Sequence, residues 1–302
     1  MNLYTHKASN TRKTFLLMFV FLILIIGVGY IFSLVYKNPG ILYFAAVFSV
    51  ITAFSSYWWS DKIVTKLTHA KEVKFDENKE LYRVLENLSI TAGLPMPKLY
   101  LIQEAQPNAF ATGRNEKHAV VAVTTGLLEK LDRSELEGVL AHELSHIGNK
   151  DMLVMTIAVV LAGTIALASD IFLRSRIYGN RSRSSNNNSQ AQGLVMVIAI
   201  AAAILAPIAA MMIKMAVSRK REYLADATGA LITRYPEGLA SALEKIAADP
   251  SPMKTAKNAT AHLYISNPLR GKQKKGILSK MFSTHPPASE RIARLRNQEI
   301  ES

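Results

Sequence analysis

Four apolar runs interrupt an otherwise polar chain. The first, Phe15 to Tyr36, carries no charge and exceeds the roughly 20 residues that cross a hydrocarbon core, so it predicts a transmembrane helix. A second apolar run begins at once and no small-x-small cleavage site intervenes, which argues against a removable signal peptide. That second run, Ile41 to Trp59, is joined through "KNPG" and ends in Trp58 and Trp59, residues suited to a membrane interface. The two predict a hairpin over residues 1–60. A third and a fourth run, Met152 to Leu173 and Gly193 to Ile213, predict another apolar pair within 152–217, the last containing Pro207. Between them residues 174–192, "RSRIYGNRSRSSNNNSQAQ", have a composition that cannot build a core and predict a disordered linker.

The polar part from 61 to 151 changes period. Leu81, Leu85 and Leu88 share a helical face in a segment near Asp76 to Thr91, with Gly93 as its stop. "PKLYLI" at 97–102 and "HAVVAVTT" at 118–125 are short β-rich runs that read as strands of a small sheet, and "NAFATGRN" between them reads as a strand and turn. Ser134 followed by Glu137 forms a capping-box pattern before the next helical run. Residues 218–302 are polar and mostly helical in pattern. The fold class expected is α+β, predominantly α-helical: an integral membrane protein with four apolar helices and a zincin-like catalytic domain built from 61–151 and 218–302.

Composition sharpens this picture. Hydrophobic residues make up 49% of the 302, high for a chain wholly in water. The excess of 36 Lys and Arg over 23 Asp and Glu permits nucleic acid or a membrane surface. The basic residues cluster beside apolar runs and no aromatic-basic interleaving occurs, so the lipid bilayer is the expected partner and nucleic acid is not. With no cysteine, disulfides are excluded and a metal would be held by nitrogen and oxygen.

Such a metal has candidate ligands. "GVLAHELSHIGNKD" at 138–151 places His142, Glu143 and His146 in the order H-E-x-x-H. On a helix, residues four apart share a face, so two imidazoles can meet one ion with Glu143 beside them; zinc suits this set best. Glu143 can then act as general base toward water and as acid toward the leaving amine. Catalytic zinc needs a third protein ligand. In "SRKREYLADATGA", Glu222 and Asp226 are again four apart: one carboxylate can bind the metal and the other can orient a ligand histidine. A solvated helix with Glu222 paired to Arg221 or Arg219 fits that spacing equally well.

Four segments, "AHELSHIGNKDM", "KREYLAD", "NAFATG" and "STHPPASERI", resemble the HtpX family of membrane-integrated zinc metallopeptidases, and the resemblance extends over nearly the whole chain. It implies Glu222 as third ligand and Asp226 as support for a histidine. It places His285 near the active site as a candidate oxyanion donor, with Arg291 as a charge partner. It implies that Asn108, Ala109 and Phe110 line the substrate cleft, where Asn108 can hold substrate backbone at a sheet edge. It also implies a stress-response protease of the inner membrane of a bacterium that degrades misfolded or surplus membrane proteins or unfolded polypeptides. A peptidase processing one lipidated substrate is the alternative within enzymes, and a metal-binding scaffold the alternative outside them.

His146 precedes Met152 by six residues and Glu222 follows Ile213 by nine, so at 1.5 Å per residue both lie within ~15 Å of an apolar boundary. Lys7, Arg12 and Lys13 precede the first span against Lys37 after it, which predicts a cytoplasmic amino terminus and catalytic part. Arg174, Arg176, Arg181 and Arg183 oppose that assignment unless the second hairpin fails to cross fully.

Overall fold

The structure, a computed structural model, describes residues 3–179, 218–256, 260–269 and 286–298. The fourth apolar run, linker residues 180–192 and His285 lie outside the described residues.

Helix α1 (Leu3–Tyr36) and helix α2 (Gly40–Trp58) form the expected hairpin. Lys37 turns the chain at φ 49°, and the Asn38 Oδ1 accepts the Gly40 N–H at 2.9 Å. The two helices close on each other at Gly29, where any side chain would collide with Ala45. Phe19, Ile23, Tyr43, Phe44, Ile51 and Phe54 remain exposed, an apolar surface that water disfavours and lipid satisfies. Two helices among the described residues are long and apolar enough to cross a membrane, Ala8–Tyr36 and Gly40–Trp58. Of the four such helices expected, these two meet the test among the described residues, and the fourth run lies outside them.

A short helix α3 (Ser60–Leu67) leads into a four-stranded mixed sheet of β1 (Lys71–Glu72), β2 (Lys98–Ile102), β3 (Ala109–Gly113) and β4 (Ala119–Thr124). Its order is β1-β2-β4-β3, with β2 and β4 parallel and both outer pairs antiparallel. Strand β3 is therefore an edge, in register Ala109 with Val123 and Gly113 with Ala119. Helices α4 (Lys79–Thr91) and α5 (Thr125–Lys130) flank the sheet. Asn78 caps α4 through the Leu81 N–H, and Leu81, Leu85 and Leu88 are buried on its inner face.

Helix α6 (Arg133–Gly148) carries the H-E-x-x-H segment. Its capping box is Asp132 with Glu135, not Ser134 with Glu137. The Ser134 hydroxyl donates to Asp132 at 2.7 Å, which leaves it inside the first turn. Glu135 turns inward to meet Ser241 and Lys245, whereas Glu137 pairs with Arg133 on the surface.

Helix α7 (Asp151–Gly179) departs from α6 at 83°, the corner being made by Lys150 at φ 58°. Its first half packs against α1, with Leu17 and Phe21 set among Val154, Ile157 and Leu161. Residues 174–179, expected in the linker, continue α7 as helix. Helices α8 (Arg219–Thr233) and α9 (Pro236–Ala248) follow, then a 3-10 turn (Ala261–Leu263) and α10 (Ala288–Gln298). Arg234 at φ 53° ends α8 and Pro236, pre-set for a first helical turn, opens α9. The main core lies between the sheet, α4, α6 and α9.

Candidate metal centre

Helix α6 is enclosed by α8, α9 and β3, so Gly138 to Ile147 in its second half are buried. His142 and His146 stand one turn apart on the face toward α8. Helix α8 answers with Glu222, Asp226 and Gly229 on one of its own faces. Gly229 is where the backbones meet: a Cβ there would lie 3.0 Å from the His142 backbone nitrogen. Only a glycine permits that approach without a backbone shift.

The ligand atoms of His142, His146 and Glu222 all lie within 4.8 Å of one another. The two Nε2 atoms are 3.2 Å apart, and two nitrogens at about 2.0–2.1 Å from a tetrahedral ion would stand about 3.3 Å apart. Glu222 brings its oxygens to 3.9 Å from the His142 Nε2 and 3.7 Å from the His146 Nε2. Two imidazoles and a carboxylate that converge in a buried place suit a divalent ion with affinity for nitrogen and oxygen, as zinc has.

Each imidazole rests on a carboxylate through its other nitrogen. His142 Nδ1 is 3.0 Å from Asp226, which Arg291 grips with Nη2 at 2.6 Å and Nε at 2.9 Å. His146 Nδ1 is 3.4 Å from Asp151. Arg291 also approaches Glu222 at 3.8 Å. Tyr223, bonded to Glu290 at 2.8 Å, pins α8 to α10 and keeps Arg291 in place.

The electrostatics of the two rings differ. Burial, and then the charge of Arg291, drive His142 down to about 4 against the partial opposition of Asp226. Burial pulls His146 the same way, but the bond to Asp151 and the charge of Glu222 overcome it and raise the ring to about 9. Burial, reinforced by Glu222, lifts Glu143 to about 7, although His146 and Arg291 pull it down. Burial alone would raise Asp226, yet Arg291 and His142 hold it below the usual carboxylate range.

The Ala111 backbone on β3 faces the Glu143 carboxyl and is one of the groups that pull it down, so the edge strand lies against the site. Next along that edge, the Ala109 carbonyl accepts the Ile265 N–H at 2.9 Å. The Asn108 side chain closes on Ser266, donating to its carbonyl at 2.9 Å and accepting its N–H at 3.2 Å. Arg291 reaches the Ile265 carbonyl at 3.3 Å. Phe110 alternates to the opposite face of the strand and stacks edge-on against Tyr264 at 5.1 Å. The structure thus gathers His142, Glu143, His146, Glu222, Asp226 and Arg291, joins Asn108 and Ala109 to them through residues 265–266, and sets Phe110 apart.

Sequence reasoning passed over Asp151, Asn10 and Gly229, and weighed Arg221 only as a partner of Glu222 on a solvated helix. Asp151, five residues after His146, stood in the quoted segment, but only the 83° corner brings it back beneath the ring. Nothing in the spacing links Asn10 to a residue 141 positions away.

A helix with two histidines, a second helix with a carboxylate and an edge strand against Glu143, all beside a membrane hairpin, fit a membrane-associated protease of the metallopeptidase class. The sequence matches the profile of peptidase family M48 over residues 76–299, and the chain belongs to that family. Within it the chain stands with the HtpX proteases: it is 47% identical to a protease HtpX homolog of Caldanaerobacter subterraneus over 99% of this chain and 98% of the relative. Homologs from Tropheryma whipplei, 44% identical over 97% of this chain and 98% of the relative, and from Thermococcus sibiricus, 47% over 90% of each, agree. The fold is similar to the crystal structure of S. mikatae Ste24p, with a TM-score of 0.50 at 19% identity over 93% of this chain. This chain spans 65% of the length of that structure.

Proposed function

We propose that this protein is a zinc metalloendopeptidase that cleaves misfolded or surplus membrane proteins beside the bilayer, on the cytoplasmic face of a bacterial inner membrane. The observation that carries the reading is the convergence of His142, His146 and Glu222 within 4.8 Å, next to a Glu143 whose carboxyl sits at about 7. In this reading those three residues hold one zinc ion, and Asp226 and Arg291 keep His142 oriented. Zinc, when bound, supplies a Lewis acid that polarises the scissile carbonyl and lowers the pKa of water.

Glu143 then removes a proton from the attacking water and returns it to the leaving amine, a task for a buried carboxylate beside the ligands. An extended substrate takes the part of the β3 edge beyond Ala109, because Ile265 already occupies the Ala109 carbonyl. Asn108 in this arrangement shapes the cleft by fixing Ser266 and so acts on substrate through that segment. The oxyanion role of His285 stays part of the proposal on the motif alone.

Two contacts support a site close to the membrane. Asn10 on α1 bonds Asp151 at 2.7 Å, and Asn10 lies only five residues, about 7.5 Å of helix, before the apolar run that starts at Phe15. Arg114, in the β3–β4 turn, stacks over Trp58 at the end of α2 with 4.4 Å to the ring centroid. Residues 1–60 in this reading form the anchor, and 61–151 with 218–302 form the catalytic part. The charge bias of Lys7, Arg12 and Lys13 supports a cytoplasmic position for that part.

Full-length protein in detergent should hydrolyse an unfolded or membrane-bound polypeptide and lose the activity on chelation. Glu143→Gln should lower the rate by roughly 10²–10⁴ while leaving zinc bound. A Glu143→Gln protein as fast as the parent would sink the mechanism. Product mapping separates general proteolysis, with many cleavage sites, from processing of one substrate at one site.

A further inference from the structure

His146 is supported from the membrane side. Its Nδ1 lies 3.4 Å from Asp151 Oδ2, while its Nε2 faces His142 and Glu222. Asp151 is 1% exposed, so its charge must be met inside the protein. The other oxygen, Oδ1, accepts the Asn10 side-chain N–H at 2.7 Å and has Arg221 Nε at 3.5 Å. Asn10 is itself 3% exposed and fully committed: its amide also donates to the Asn149 carbonyl at 3.1 Å and accepts from Arg221 Nη1 at 3.1 Å. With three bonds from three directions, the amide has a single orientation.

We infer that Asp151 is a positioning residue for His146 and that α1, through Asn10, is a built part of the metal centre. The inference rests on the reading of His142, His146 and Glu222 as ligands and deepens it. A carboxylate on Nδ1 fixes the tautomer with the proton on that nitrogen, which leaves the Nε2 lone pair directed at the ion position. Asp151 can do this only while Oδ2 stays toward His146, and Arg221 competes for the carboxylate from the other side. Asn10 decides the contest by holding Oδ1. The membrane anchor thereby does more than tether the protein: the Asn10 amide it carries holds the support of a ligand in place.

The test uses full-length protein in detergent, on a Glu143→Gln background that prevents self-digestion. Zinc affinity is measured by competition with a chromophoric chelator, and site symmetry by the visible spectrum of the cobalt-loaded protein. Asp151→Ala should weaken zinc about 10–100-fold, the usual cost of removing such a support, and Asp151→Asn, nearly isosteric, should fall between it and the parent. Asn10→Ala should weaken zinc in the same direction by several-fold and shift the cobalt spectrum. Leu17→Ala, which loosens α1 against α7 without touching the polar chain, should lower the melting temperature but leave affinity and spectrum as in the parent.

Affinity and spectrum unchanged in Asp151→Asn and Asn10→Ala would overturn the inference, as would equal weakening by Leu17→Ala. A parent that binds no zinc, or one unaffected by Glu222→Ala, would overturn the reading of the site and this inference with it.

Discussion

The two histidines of the centre have supports of different make. On the His142 side, Asp226 comes from α8 and Arg291 from α10, and the guanidinium takes both carboxylate oxygens, at 2.6 and 2.9 Å. On the His146 side, Asp151 comes from the head of α7 and is shared among Asn10, Arg221 and a ring 3.4 Å away. The first support is a closed bidentate pair within the catalytic part. The second is looser and reaches into the membrane hairpin. Burial lowers both rings: at His142 the Asp226 bond offsets it only in part while the Arg291 charge adds to it, and the ring is held at about 4; at His146 the bond to Asp151 and the charge of Glu222 outweigh burial, and the ring rises to about 9.

The largest effect that could break this contrast is on stability. Arg291 is 2% exposed and faces Asp226, Glu222 and His142, so Arg291→Met strands a buried carboxylate and should cost about 3–5 kcal/mol. Arg221→Met should cost less, because Asn10 still bonds Asp151. Thermal melts of the two variants in the same detergent check this, and equal losses would erase the proposed asymmetry.

Proton release sharpens the contrast without a mutation. After chelation, His146 carries a proton below about 9, Glu143 carries one below about 7, and His142 stays neutral down to about 4. A ligand imidazole must lose its proton to bind metal, so zinc has to displace one proton between pH 7 and 9. Below about 7 a second leaves from Glu143, since a nearby cation favours the carboxylate. Apparent zinc affinity should therefore climb about tenfold per pH unit from 7 to 9, climb more steeply below 7, and level off above 9. Calorimetry in buffers of different ionisation enthalpy counts the protons directly. A curve already flat from pH 6.5 upward would mean that Asp151 and Glu222 do not hold the proton on His146.

The His142 side was the legible one. His142, His146, Glu222 and Asp226 fall at helical spacing within two short segments, so periodicity alone placed each pair on one face, and the resemblance to the HtpX family joined the two segments. The strands at 98–102 and 119–124 followed from their β-rich composition, and the first two apolar helices from length and lack of charge. The two-residue β1 is too short to leave a pattern. The capping box moved because Ser134 and Asp132 both suit the start of α6, and only the tertiary contacts of Glu135 with Ser241 and Lys245 decide between them. The His146 side was opaque for a related reason: its support is assembled from α1, the α6–α7 corner and α8. No local rule connects Asn10, Asp151 and Arg221.

That corner gives the smallest and most local test. Lys150 holds φ 58°, a left-handed conformation that costs a side-chain-bearing residue roughly 1–2 kcal/mol. It persists because it stops α6 and lets Asp151 begin α7 beneath His146, with Asn10 bonded to both Asn149 and Asp151. Lys150→Gly removes the steric cost but adds backbone freedom to the unfolded chain, so stability should stay level or rise by at most about 1 kcal/mol, with zinc affinity unchanged. Lys150→Val places a β-branched residue where positive φ is least tolerated and should lose about 1–2 kcal/mol relative to Lys150→Gly. If the corner delivers Asp151, the valine variant should also bind zinc less tightly than the glycine variant. Equal zinc affinity in the two, at the expected difference in melting temperature, would show that the turn shapes the fold without governing the metal centre.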